Sequence, residues 1–117
     1  MLERIYSESE INAILERPEI SEYQVLFNPD FIYYKVLDGL IFYEPYKSVA
    51  FLHTAIVTMP DRPAEALRAN FEQVKELGFK KVWAVIDFGH KRACMMARAA
   101  GMKRVDFEHS NLFERVL

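Results

Sequence analysis

The side chains with the most chemical potential in this sequence are three histidines, a single cysteine and a scatter of cations. His53 stands inside an otherwise apolar stretch from Ser48 to Val57 that only it and Thr54 interrupt. A histidine titrates near neutral pH, so His53 is a candidate general base for taking a proton from an incoming ammonium group. A core histidine holding one hydrogen bond is the more ordinary role for such a residue. His90 follows an apolar run and opens a helical one, which is where α/β sheets bind ligands. Contact with a cofactor and a plain surface position are both open to it. His53, His90 and His109 are scattered and lack carboxylates at ligand spacing, so no metal site is expected. Cys94 lies among Ala93, Met95 and Met96, where a thiol packs as a small apolar group; acting as a nucleophile would require a base beside it. Lys80, Lys81, Lys91, Arg92, Arg98, Lys103 and Arg104 gather around the same segment. They suit the phosphates of a ligand or an acidic partner, and equally a solvated face.

The elements that must position these residues are legible as patterns. Ser7 and Glu10 form a capping box, with Ile11, Ile14 and Leu15 on one apolar face and Pro18 as the stop. The N-terminal Met1-Leu2-Glu3-Arg4 reads as leading straight into that helix. Phe31–Leu37 and Leu40–Tyr43 read as two strands joined at an Asp38-Gly39 turn. Ser48–Val57, apolar on both faces, reads as a central strand. Pro63 opens a helix carrying Leu67, Phe71, Val74 and Leu77, and Gly78 closes it. Val82–Ile86 reads as a buried parallel strand. After Asp87-Phe88-Gly89 a second helix turns Ala93, Met96, Ala97 and Ala100 inward and stops at Gly101. Val105 and Phe107 mark another strand, and residues 112–117 a possible last one. The segment from Ser48 to Ile86 is thus a right-handed β-α-β unit. The expected fold class is α/β (α+β): one domain over residues 1–117, with helices packed on a central mixed sheet.

Composition narrows the function classes. At 117 residues, with 51% hydrophobic and 27% charged residues, the chain has the balance of one globular domain. A net charge of -2 speaks against a broad basic surface, so no nucleic-acid partner is expected. The lone Cys94 permits no internal disulfide. No signal-peptide pattern and no membrane-length apolar run is present, so the expected location is the cytoplasm. Tyr33, Tyr34, Phe42, Tyr43 and Tyr46 cluster on the hairpin. Core packing accounts for some of them, and a homodimer or partner surface would account for the excess.

The order strand, Pro60-Asp61-Arg62, amphipathic helix, Leu77-Gly78-Phe79, Lys81–Ile86, and Arg92-Ala93 through Ala100-Gly101-Met102 resembles the GNAT acyl-CoA N-acyltransferases. The resemblance covers roughly the second half of the chain. It implies a sheet whose two central strands splay to admit the pantetheine arm of acetyl-CoA, with Ile56 and Val57 offering backbone groups to it. It also implies that Arg62 and the N–H groups of Ala64, Glu65 and Ala66 meet the pyrophosphate at a helix N-terminus, with His90 close to the cofactor. In the family's R/Q-x-x-G-x-G/A loop this chain has Arg62, but Glu65 and Leu67 stand at the glycines. In its final helix, His90 replaces the usual Asn and Ala97 the usual Tyr, which serves as general acid to the leaving thiolate. The sequence therefore resembles an acetyl-CoA-dependent N-acetyltransferase acting on an unidentified amine, with two degenerate signatures. Glu16-Arg17-Pro18-Glu19-Ile20 is similar to the opening of small GNAT-like proteins of tailed bacteriophages, some linked to head or virion assembly. That resemblance implies an alternative: a non-catalytic assembly or protein-interaction module, working with a protein partner in the host cytoplasm.

Overall fold

The computed structural model describes residues 2–87, 89–107 and 110–117. Met1, Phe88, Glu108 and His109 lie outside the described residues.

The elements run β1 (Glu3–Ile5), α1 (Glu8–Leu15), α2 (Pro18–Ser21), β2 (Ile32–Val36), β3 (Gly39–Tyr46), β4 (Val49–Ala55), α3 (Pro63–Glu76), β5 (Lys81–Val85), α4 (Lys91–Ala99), β6 (Lys103–Phe107) and β7 (Ser110–Val116). They form one mixed sheet in the order β1-β2-β3-β4-β5-β7-β6. The strand expected to be central is β4, with three neighbours on each side. Only the β4–β5 pair is parallel; β1–β2, β2–β3, β3–β4, β5–β7 and β6–β7 are antiparallel. The expected β4-α3-β5 crossover is thus present, with α3 starting at Pro63 as expected, while β4 stops at Ala55, two residues short of the expected Val57, and β5 runs Lys81–Val85 rather than Val82–Ile86.

Alternation along the strands sends side chains to two helix-covered faces. On one, Tyr34, Ile41, Tyr43, Ala50, Val82, Ala84 and Phe113 pack against Leu67, Phe71 and Val74 of α3 and Ala97 and Ala100 at α4. On the other, Tyr33, Leu40, Phe42 and Ala55 pack against Ile11, Ile14, Leu15 and Ile20. A buried polar chain also pins α3. The Tyr43 hydroxyl donates to Asn70 Oδ1 (2.6 Å), and Asn70 Nδ2 donates to Gln73 Oε1 (3.0 Å). Gln73 in turn bonds both backbone groups of Leu2 (2.8 and 3.2 Å). Burial pushes the Tyr43 phenol well above its ordinary range, so it stays a donor.

Three local expectations are corrected. The N-terminus forms β1 rather than running into the helix, because Glu3, Arg4 and Ile5 find Lys35, Tyr34 and Tyr33 on the sheet edge. Pro18 does not merely end a helix. α1 closes at Leu15, and Pro18 occupies the first turn of α2, where its absent N–H leaves no gap. The hairpin turn is Leu37-Asp38, with Leu37 at φ 53 and Val36 paired to Gly39. Gly39 serves another need: a Cβ there would lie 2.5 Å from the Ala55 carbonyl oxygen. Of the helix stops, Gly78 and Gly101 adopt the expected positive φ, 101° and 90°. No described helix is long and apolar enough to cross a membrane.

Candidate functional site

The sheet opens at its centre. β4 and β5 are paired only at Val49–Lys81, Ala50–Val82 and Phe51–Trp83. Beyond that point β4 stays on β3 as far as Ala55, and β5 stays on β7 as far as Val85. Each strand follows its outer neighbour, so the inner edges of Leu52–Ala55 and Ala84–Val85 are not paired to each other. Two bulky rings stand at the apex of this fork, Phe51 and Trp83, edge to face with centroids 5.4 Å apart. Trp83 is held in place by donating from Nε1 to Glu114 Oε2 (2.7 Å). Backbone groups along an unpaired inner edge are available to an extended ligand.

His53 lies on β4 past the apex. It is not the core histidine that its apolar neighbours suggest, since 45% of its side chain is exposed. Its ring stacks on Phe42 (5.2 Å between centroids) and Phe31 (6.4 Å), and Glu44 Oε1 lies 3.8 Å from Nε2. Desolvation against those rings lowers the imidazole below its ordinary 6.5, and the Glu44 charge partly offsets this. A half-exposed, neutral imidazole at neutral pH can accept a proton. Sequence reading missed Glu44, Phe51, Trp83 and Glu114 as neighbours of this region. Glu44 and Phe51 face each other across the β3–β4 ladder, so the register was the signal that would have found them.

At the open end of the fork the chain turns into α3. Asp38, in the β2–β3 turn, fixes this loop by accepting from Thr58 N (3.1 Å) and Thr58 Oγ1 (2.8 Å), with Arg17 at 3.7 Å. The Thr58 hydroxyl is the largest of the contacts that lower the Asp38 carboxyl. Ile56 and Val57 are half-buried against the two core faces. Arg62 is the α3 N-cap and gives no side-chain cap bond. Pro63 has no N–H, and Ala66 N–H is already taken by the Arg62 carbonyl (3.0 Å). The first-turn donors left for an anion are therefore Ala64 and Glu65. The Arg62 guanidinium sits 3.5 Å from the Glu65 carboxylate, both well exposed. That pair lowers the charge repulsion Glu65 would bring, and it also occupies Arg62.

His90 is the α4 N-cap, exposed, with its N–H on the Asp87 carbonyl (2.9 Å). The fold thus brings His53, Ile56 and Val57 to one arm of the fork and Arg62, Ala64 and Glu65 to its mouth, with His90 beyond the end of the other arm. Ala97 is 3% exposed in the core, so no proton donor stands there. Cys94 packs against the edge of the core, as expected, and is half-buried there.

No family model matches this chain, nor does any curated protein sequence. Solved structures do match. Against a ribosomal-protein-alanine N-acetyltransferase from Brucella melitensis the TM-score is 0.75 at 11% identity, covering 100% of this chain and 99% of the other. A GNAT superfamily phosphinothricin acetyltransferase from Sinorhizobium meliloti, in complex with AcCoA, gives 0.72 at 14% identity, covering 100% and 88%. The aminoglycoside acetyltransferase AAC(6')-Ib, in complex with coenzyme A and kanamycin, gives 0.66 at 13% identity, covering 99% and 95%. Identities this low speak for the fold alone, and the fold is that of the GNAT acetyltransferases.

Proposed function

We propose that this chain binds acyl-CoA in the fork between β4 and β5 and acts as an N-acyltransferase of reduced efficiency on a small amine. The observation that carries the reading is the fork itself: two parallel central strands that part after Phe51 and Trp83 and leave the β4 inner edge open. Backbone groups near Ile56 and Val57 would hold the pantetheine arm. Ala64 and Glu65 N–H groups, with Arg62, would hold the pyrophosphate, and His90 would lie near the cofactor. Ala66 can contribute only through the helix it anchors. Acetyl-CoA, when bound, supplies an activated acyl thioester. His53 acts as the base that removes a proton from the amine, and the rings of Phe31 and Phe42 fix its plane. Nothing at Ala97 can protonate a departing thiolate, so that proton comes from solvent.

A second reading is favoured by the same Ala97 and by the Arg62–Glu65 pair: a GNAT fold kept without catalysis, as a protein-interaction module such as a phage head or virion assembly factor, in the host cytoplasm and with a homodimer as one form of contact.

Calorimetry with acetyl-CoA separates the two. Loss of one charge-assisted phosphate contact costs about 1.5–3 kcal/mol, or about one to two decades of affinity. We therefore expect saturable but weak binding, with release of the CoA thiol from acetyl-CoA in the presence of a panel of acceptor amines, which His53→Ala abolishes. No binding at millimolar acetyl-CoA would overturn the acyltransferase reading and leave the interaction module.

A further inference from the structure

A cleft of about 330 Å³ opens between α4 and the β6–β7 hairpin, lined by Lys91, Cys94, Met95, Arg98, Arg104 and Asn111. None of these residues has a part in the reading of the fork. Lys91, Cys94, Met95 and Arg98 are spaced by three, four and seven residues, which puts them on one face of α4. Arg104 and Asn111 come from the two strands below. The charged residues that line the cleft are the cations Lys91, Arg98 and Arg104.

The floor of the cleft holds two further features. Asn111 is 5% exposed; its Nδ2 donates to Cys94 Sγ (3.7 Å), while its Oδ1 has no partner. Buried side-chain acceptors without a donor are rare in native proteins, and the residue that carries this one lines the cleft. The Cys94 thiol is half-buried and lies 3.9 Å from the Asp87 carbonyl. A molecule suited to this place carries anionic groups for Lys91 and Arg98, an N–H for Asn111 Oδ1, and a sulfur within reach of Cys94.

We propose that the cleft is a site of reversible S-thiolation at Cys94, taking small disulfides whose halves bear carboxylates and amide N–H groups. In the step, the Cys94 thiolate attacks one sulfur of the incoming disulfide. The incoming S–S bond breaks, a mixed disulfide to Cys94 forms, and the other half departs as a thiolate that takes up a proton. The incoming disulfide is the oxidant: its departing half leaves as a thiol, and Cys94 is oxidised to the mixed disulfide. A reducing thiol reverses the exchange.

Intact-mass measurement tests this directly, because Cys94 is the only cysteine in the chain and any adduct is located by its mass. Exchange rates would be compared for glutathione disulfide (anionic), hydroxyethyl disulfide (neutral) and cystamine (cationic). The urea-unfolded chain provides the intrinsic reactivity of each reagent. In the folded chain the ratio of glutathione disulfide to cystamine should exceed the unfolded ratio by about tenfold, the lower end of electrostatic steering. It should collapse towards the unfolded ratio at 1 M salt, where the Debye length is about 3 Å, and in the double variant Lys91→Gln/Arg98→Gln. Both substituted residues are exposed, so this variant keeps the fold. Asn111→Leu should slow glutathione disulfide several-fold and leave hydroxyethyl disulfide unchanged. A folded chain that shows the unfolded ratio, or that resists all three reagents, would overturn the proposal.

Discussion

Removing the Glu44 charge should lower the pH at which His53 titrates, by a fraction of a unit. Glu44 Oε1 lies 3.8 Å from His53 Nε2, with 48% and 45% of the two side chains exposed. Unit charges at that distance interact by about 1 kcal/mol in bulk water and by about 4 kcal/mol at an effective dielectric of 20. Half-exposed side chains belong at the watery end, where measured pairs contribute roughly 0.2–1 kcal/mol. At 1.36 kcal/mol per pH unit, this is roughly 0.2–0.7 unit. Glu44→Gln removes that offset and leaves the desolvation by Phe31 and Phe42 in place. The wild-type imidazole should therefore titrate below 6.5, and the variant lower still. Proton NMR of the imidazole Cε1–H resonances reads this directly, with His53 assigned by loss of its signal in His53→Ala. The sign carries into function and stability alike. Any His53-dependent thiol release should be flat above about pH 6.5 and fall on the acid side, with the variant's limb displaced to lower pH. The unfolded chain holds more protons on His53 between the two titrations, so this residue's contribution to stability is full above about 6.5 and is lost as pH falls towards the folded value. A wild-type His53 that titrates at or above 6.5, or a Glu44→Gln shift to higher pH, would refute the account of burial opposed by one carboxylate.

Two substitutions test how α3 and α4 are held. Tyr43→Phe leaves the buried Asn70 Oδ1 without its donor; it should cost about 1–3 kcal/mol, seen as a Tm lowered by roughly 4 °C or more per kcal/mol, and an unchanged Tm would show that the contact is not stabilising. Ala97→Tyr, which would restore the acetyltransferases' usual phenol, should instead destabilise by about 1–3 kcal/mol through overpacking, because Ala97 is 3% exposed in the core; a variant that melts with the wild type and gains thiol release would contradict that placement.

Much of the molecule was legible before any coordinates. The β4-α3-β5 order, the Pro63 start and Gly78 stop of α3, and the Ser7 cap of α1 are written in local patterns of apolar spacing and backbone-special residues, which act within one turn of helix or one strand. The apolar run around His53 located the central strand for the same reason. Local signals failed where a residue answers to something distant. Gly39 looked like a turn glycine, yet it is set by the Ala55 carbonyl that passes over it. Glu3–Ile5 carries no strand signature of its own and becomes β1 only because β2 offers an edge.

The candidate site divides along the same line. Arg62, Ala64, Glu65 and Ala66 could be placed at the start of a helix from sequence alone, because a helix start is a local event. That Ala66 N–H is spent on the Arg62 carbonyl and that Glu65 pairs with Arg62 are seen only in the folded first turn of α3, whereas the inward face of Ala97 was already readable from helical spacing and is borne out. The surroundings of His53 required the β3–β4 register, which sets Phe42 and Glu44 beside it. The fork is the most non-local feature. Nothing in Leu52–Ala55 or in Ala84–Val85 dictates that these edges part. They part because β3 holds one strand and β7 the other. The sequence by itself marked the strands from β2 to β7; that Glu3–Ile5 joins them as β1, and which inner edges stay unpaired, was decided only in the assembled sheet, where each strand finds its neighbour.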